Sequence, residues 1–137
     1  MPHELIPLTF DKIMQTKAYT VVIFGAGDKR FAIYTDPSIG KMLQMLLTGL
    51  EKQRPLTHDL IHLIFLGAQI SVMQVVINDI QDTVYFARLF LEQYIQGIRH
   101  IIEIDARPSD CITLALMSNA QVYCTQELLN KTVSIDE

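Results

Sequence analysis

The chain has 137 residues, half of them hydrophobic, and carries a net charge of −4 at pH 7. That length supports one globular domain, 1–137, with its own core, and the composition excludes a disordered chain. Eleven Lys and Arg are scattered without a basic run, which excludes a tight, non-specific grip on long nucleic acid, since phosphate neutralisation supplies much of that affinity.

In chain order, Leu5 to Ile13 and Tyr19 to Phe24 read as extended segments rich in β-branched and aromatic residues. Gly25-Ala26-Gly27-Asp28-Lys29 reads as a turn, and Arg30 to Thr35 returns as the second strand of a hairpin. A dinucleotide fingerprint at Gly25-Ala26-Gly27 fails, because position 30 is Arg and no helix follows. Asp36-Pro37-Ser38 opens a helix, with Asp36 as N-cap and Pro37 in its first turn. Ile39, Met42, Leu43, Leu46, Leu47 and Leu50 form its apolar stripe, and Gly49 stops it. Thr57 is expected to cap a second helix running to about Leu66, ended by Gly67.

Ser71 to Asn78 and Val84 to Leu91 flank Asp79-Ile80-Gln81-Asp82-Thr83, a strand–turn–strand pattern. Ile98 to Ile104 is a further strand. Pro108 then starts a helix that ends near Asn119, a residue tolerant of the left-handed conformation. Val122 to Cys124 is a short strand, and Thr125 caps a short closing helix over Leu128 and Leu129. Strand-Asp36-Pro37-Ser38-helix echoes strand-Arg107-Pro108-Ser109-helix. Aligning the prolines puts Leu43 on Leu114 and Ile39 on Asp110. The expected architecture is α+β, a largely antiparallel mixed sheet with helices packed on it, built on an internal duplication of a β-hairpin-plus-helix unit.

No apolar run approaches the ~20 residues of a membrane helix, so no membrane partner is expected. The start Met1-Pro2-His3-Glu4 lacks the basic and apolar pattern of a secretory signal. Two cysteines, Cys111 and Cys124, make no disulfide framework and point to reduced thiols in the cytoplasm.

Chemistry concentrates in Glu103-Ile104-Asp105-Ala106-Arg107-Pro108-Ser109-Asp110, where three carboxylates and a guanidinium sit at a strand-to-helix corner. Glu103 and Asp105 share one side of a strand, and Asp110 lies in the first helical turn, able to turn back toward Asp105. Two or three such oxygens suit a hard cation such as Mg²⁺, and Arg107 offers a planar fork for phosphate. The same residues suit an Arg–carboxylate lock that only fixes the corner. His58-Asp59-Leu60-Ile61-His62 imitates a zinc-binding H-E-x-x-H helix. Asp for Glu, a start at the helix cap and the lack of an obvious third ligand argue against zinc. His58 reads better as an acid–base group, a carboxylate-orienting group or a phosphate contact.

Glu103 to Asp110, followed by Cys111-Ile112-Thr113-Leu114-Ala115-Leu116, closely resembles the signature of the bifunctional nuclease domain family. Arg54-Pro55-Leu56-Thr57-His58-Asp59-Leu60 resembles that family's other motif, in the same order, and the resemblance runs from about Phe31 to Leu129. It implies a nuclease that hydrolyses DNA or RNA and meets nucleic acid as a transient substrate, in a homo-oligomer. On that expectation the catalytic residues are Asp105, Asp110, His58 and Asp59. Arg107 and Arg54 bind phosphate, and Asp105, Asp110 and Glu103 hold a divalent cation such as Mg²⁺. The chain departs from the family where typical members carry a glutamate two residues after the first helix's proline. Ile39 stands there, removing one potential ligand. The alternative is a non-catalytic regulatory or interaction domain whose acidic, Arg-bearing corner is structural. The expected meeting of the two motifs brings His58 or Asp59 close to Arg107 or Asp110.

Overall fold

The computed structural model describes residues 4–49 and 54–135. Leu50 of the first helical stripe, and Met1, Pro2 and His3 of the N-terminal start, lie outside the described residues. The elements run β1 (Leu5–Pro7), β2 (Thr9–Gln15), β3 (Thr20–Ala26), β4 (Lys29–Thr35), α1 (Pro37–Thr48), α2 (Thr57–Gly67) and β5 (Ile70–Gln81). They continue as β6 (Val84–Ile95), β7 (Ile98–Ala106), α3 (Pro108–Ser118), β8 (Gln121–Thr125) and α4 (Gln126–Lys131).

The fold is α+β with a mixed sheet and packed helices, as expected, but the strands divide into two sheets. The larger has the order β1-β8-β5-β6-β7, and the smaller is β2-β3-β4. All neighbouring strands are antiparallel except β5 and β8. The extended segment read as Leu5 to Ile13 therefore splits at Leu8, where the chain leaves the large sheet for the small one. Leu8 is buried and its N–H donates to the Val122 carbonyl at 2.9 Å. Hairpin followed by helix does occur twice, as β3-β4-α1 and β6-β7-α3.

The segment around Asp79 belongs to strand rather than turn. β5 and β6 stay paired to Gln81↔Val84, past irregularities at Val72/Gln74 and Ile77/Asp79, and Asp82 takes the left-handed turn position at φ 58°. A bulge inserts a residue without ending the ladder, so the polar Asn78-Asp79 step interrupts the alternation and leaves the strand intact.

Helix ends mix agreement and correction. Pro37 and Pro108 occupy first turns, and Gly49 (φ 69°) and Asn119 (φ 55°) close α1 and α3 in the left-handed conformation. Thr125 Oγ1 accepts from the Leu128 N–H at 3.1 Å, capping α4. Asp36 stands at the N-cap of α1 yet makes no side-chain cap bond. At α2 the N-cap is Leu56, and Thr57 is already helical. Asp59 takes over the capping there, its Oδ2 accepting from the Leu56 N–H at 2.7 Å.

One core joins the two sheets, with Phe24, Phe31, Leu43, Ile77, Ile112 and Leu128 fully buried. β3 is buried along its whole length, which explains its uninterrupted apolar run. α3 is the central helix: Pro108, Ser109 and Cys111 to Ala115 are buried, whereas Leu116 and Met117 are half-buried. Burial pushes the Cys111 thiol up to about 12, helped by the nearby Asp110 and Asp105 charges, and the Cys124 thiol up to about 11. Both thiols are free. The Asp28-Lys29-Arg30 step, the nearest approach to a basic run, is structural. Lys29 Nζ donates to the Leu129 carbonyl and, at 2.8 Å, to that of Thr132. Arg30 Nε reaches Asp11 Oδ2 at 3.0 Å.

Candidate functional site

The two motifs meet within one chain. His58, buried at the start of α2, places Nε2 3.1 Å from Asp110 Oδ1, although 52 residues separate them. Arg107 grips the same carboxylate with two bonds, Nε to Oδ2 at 3.0 Å and Nη2 to Oδ1 at 3.2 Å. The local cause is the Arg-Pro step. Pro108 begins α3 with its backbone fixed, which leaves Arg107 at the N-cap and Asp110 one turn on, within reach of each other. An ionised carboxylate only accepts, so the ring bond makes His58 Nε2 the donor, and in the neutral imidazole Nδ1 then carries the lone pair. Asp110 in turn raises the Arg107 pKa, by hydrogen bonding first and by charge second, with Asp36 adding to the effect.

His58, Asp110 and Arg107 line a cleft of about 770 Å³. Its other walls come from α1 and α2, among them Met42, Ile61 and Phe65, with Asp36 and Lys41 also on its lining. Apolar walls with a few convergent polar groups are the usual make-up of a ligand cleft. The two helices with proline in their first turn, α1 after Asp36 and α3 after Arg107, both open onto it. Ile39 and Asp110, each two residues past its proline, both line it. Arg107 also borders a second hollow of about 360 Å³ beside Tyr34 and Tyr85.

The remaining expected site residues lie elsewhere. Glu103 binds Arg88 Nε at 2.8 Å, and Asp105, largely exposed, lies 3.6 Å from Arg88 Nη1. The strand register explains this: Arg88 is opposite Asp105 across β6–β7 and shares a sheet face with Glu103. Glu103, Asp105 and Asp110 therefore do not form the expected metal cluster, and no group of three or more His, Cys, Asp or Glu suited to a metal exists among the described residues. Both Asp110 oxygens already accept bonds from Arg107 and His58, so this donor set does not fit a ready-made cation cage. Arg54, Asp59 and His62 line a separate groove of about 260 Å³. Arg54 is thus not part of the cleft lining, and Asp59 serves the α2 start.

Two residues escaped the sequence reading. Lys41 sits on the cleft, one turn into α1, and Arg88 holds the β7 acids. A lone Arg within the apolar run Val84 to Leu91 was the available signal for the second.

This arrangement defines an α+β domain whose cleft pairs a carboxylate-oriented histidine with an arginine fork at a strand-to-helix corner. The chain belongs to the bifunctional nuclease domain family, whose model matches residues 21–136. It is also similar to an uncharacterized protein of Mycobacterium tuberculosis, matched in two strains, at 30% identity over 103 residues in each. The match covers 75% of this chain but 58% of those relatives, so the chain spans well under two thirds of their length. No helix among the described residues is long and apolar enough to cross a membrane.

Proposed function

We propose that this domain is a nuclease hydrolysing phosphodiester bonds of DNA or RNA at the His58–Asp110–Arg107 cleft. The observation that carries this reading is the 3.1 Å bond from His58 Nε2 to Asp110. It orients the ring and leaves Nδ1 as the proton acceptor, the logic of a carboxylate-oriented general base. His58 takes a proton from water as the water oxygen bonds to phosphorus. The ester P–O bond breaks, and the imidazolium returns the proton to the leaving oxygen. Arg107 and Lys41 offset the charge that builds on the phosphoryl oxygens. Helix starts at Pro37 and Pro108 add the positive ends of two dipoles on the same cleft. The net charge of −4 fits a transient substrate rather than a stably held one.

The second reading is a non-catalytic regulatory or interaction domain. Ile39 favours it, since an apolar side chain occupies the cleft wall where family members carry a glutamate, and so does the dispersal of the β7 acids onto Arg88. The deciding experiment is a cleavage assay on single-stranded and duplex DNA and RNA, in Mg²⁺, in Mn²⁺ and in chelator. Turnover that tracks the purified protein through successive columns supports the nuclease. No cleavage under any of these conditions leaves the second reading.

A further inference from the structure

We propose that β7 pairs antiparallel with β7 of a second copy of this chain, joining two five-stranded sheets across a two-fold axis. β7 ends the large sheet, and no strand lies beyond it among the described residues. An edge strand presents unpaired N–H and C=O groups, and proteins that keep such an edge solitary shorten it, bend it or place Pro or charged residues, Lys above all, on it. β7 carries charges, Arg99, Glu103 and Asp105 on one face and His100 on the other, but none of the other devices. It runs nine residues, pairs with β6 without a register shift, and contains neither Pro nor Lys. The opposite edge, β1, is three residues long and ends in Pro7, so the sheet is blunted at one side only.

The exposed side chains of β7 are apolar to a degree that a lone edge does not need. Ile98 is 63% exposed, Ile101 44%, Ile102 36% and Ile104 38%. Ile98, Ile102 and Ile104 stand opposite Ile95, Leu91 and Leu89, so they share the sheet face whose Leu89 and Leu91 are buried in the core. Every side chain from Ile98 to Asp105 is exposed, and a second β7 would continue this apolar face beyond the edge.

Charge along β7 selects the occupant. Arg99 lies toward its start, and Glu103 and Asp105 toward its end, all on one face. An antiparallel copy centred on Ile101 puts Arg99 opposite the partner strand's Glu103 twice over, and Ile98 opposite Ile104. Centred one residue later, Arg99 meets Asp105. Arg99 already reaches Glu92 at 2.5 Å and Glu103 reaches Arg88 at 2.8 Å, so pairing would link these into an alternating row across the axis. A strand that is its own electrostatic complement when reversed calls for a second copy, by an isologous contact that closes at two. The inference does not depend on the nuclease reading.

Sedimentation velocity over a concentration series tests it. The parent should form a dimer. Arg99→Glu replaces two attractive cross-strand pairs by repulsive ones in either register and should weaken self-association about tenfold, as should Glu103→Arg in the register centred on Ile101 and Asp105→Arg in the other. Arg99 and Glu103 side chains are both 49% exposed, so thermal unfolding of each variant should stay close to the parent's. An equimolar mixture of Arg99→Glu with Glu103→Arg, or with Asp105→Arg, should restore the dimer, and whichever partner works identifies the register. A parent that stays monomeric at 100 µM, an Arg99→Glu variant that dimerises like the parent, or mixtures in which neither partner restores association would each overturn the proposal.

Discussion

Replacing Asp110 by Asn separates the two functional readings, because the structure sets how much stability the change removes. Arg107 is 69% exposed, so its ion pair with Asp110 belongs to the surface class worth about 0–1 kcal/mol. Removing a negative charge from the first turn of α3 costs about 0.3–1 kcal/mol. The Asn carbonyl still accepts from the His58 ring, which limits the loss at the buried end. The expected total is about 0.3–2 kcal/mol, or about 1–7 °C in melting temperature for a domain of this size. A buried cation stranded by loss of its partner would cost several kcal/mol, but an arginine this exposed escapes that penalty. Cleavage, by contrast, should fall about 10²–10⁴-fold, because the neutral amide no longer stabilises the imidazolium that forms when His58 takes a proton. The assay measures cleavage of single-stranded and duplex substrates beside calorimetric unfolding, with parent and variant purified in parallel. Equal cleavage by both proteins would refute the dyad. A stability loss above about 4 kcal/mol would refute the structural reasoning.

Leu114, 4% exposed on α3, should cost about 2–5 kcal/mol on truncation to Ala, whereas the half-buried Leu116 should cost clearly less; denaturant unfolding of the pair checks the order. Ile39→Glu adds a carboxylate to the wall that Asp110 shares. It should lower stability, because position 39 is 7% exposed, while introducing a melting-temperature rise on adding Mn²⁺ that the parent lacks. Cys111, Cys124 and Tyr85 all hold their protons more tightly in the folded chain, with pKa values of about 12, 11 and 12 against ordinary values of 9.0, 9.0 and 10.0. The folded state therefore binds more protons than the unfolded one at high pH. Stability is intact below about pH 9 and falls as pH rises toward 12. Urea titrations between pH 8 and 10.5 should show this decline, and neither thiol should react with a thiolate-selective reagent at pH 8 until the protein unfolds.

What could be read from the sequence was local. Proline in the first turn and Gly49 or Asn119 at the end mark α1 and α3, because backbone restrictions at those residues act without tertiary help. The meeting of His58 with Asp110 was foreseeable only because both motifs begin helices after an Arg-Pro step. The split into two sheets was not legible, since β2 and β5 carry similar strand patterns and pairing depends on contacts far along the chain. The fate of Glu103 and Asp105 was likewise hidden. Seen alone, the 103–110 segment gathers its charges around Arg107. The competing cation, Arg88, arrives from the neighbouring strand through a register that no local pattern encodes. Asp59 looks like a reactive acid in the sequence because its use as the α2 cap requires the helix to start one residue earlier than a Thr57 cap implies.

The cleft straddles the seam between the sheets. α1 leaves the small sheet and is seated on it through Gly40, whose N–H donates to the buried Thr20 Oγ1 at 3.1 Å and whose missing side chain leaves room for that contact. α3 leaves the large sheet, and α2 packs against it. Anything held between Lys41 on one wall and His58 on the other thus acts as a cross-brace between two halves of the domain. Its binding free energy would appear in the cooperative unfolding of the whole chain, and amide exchange would slow in β3 as well as in α3. The breadth of the cleft is equally a property of the core. A methyl at position 40 would press on Thr20 and Gln15, shifting one wall against the other without altering any residue that faces the cleft.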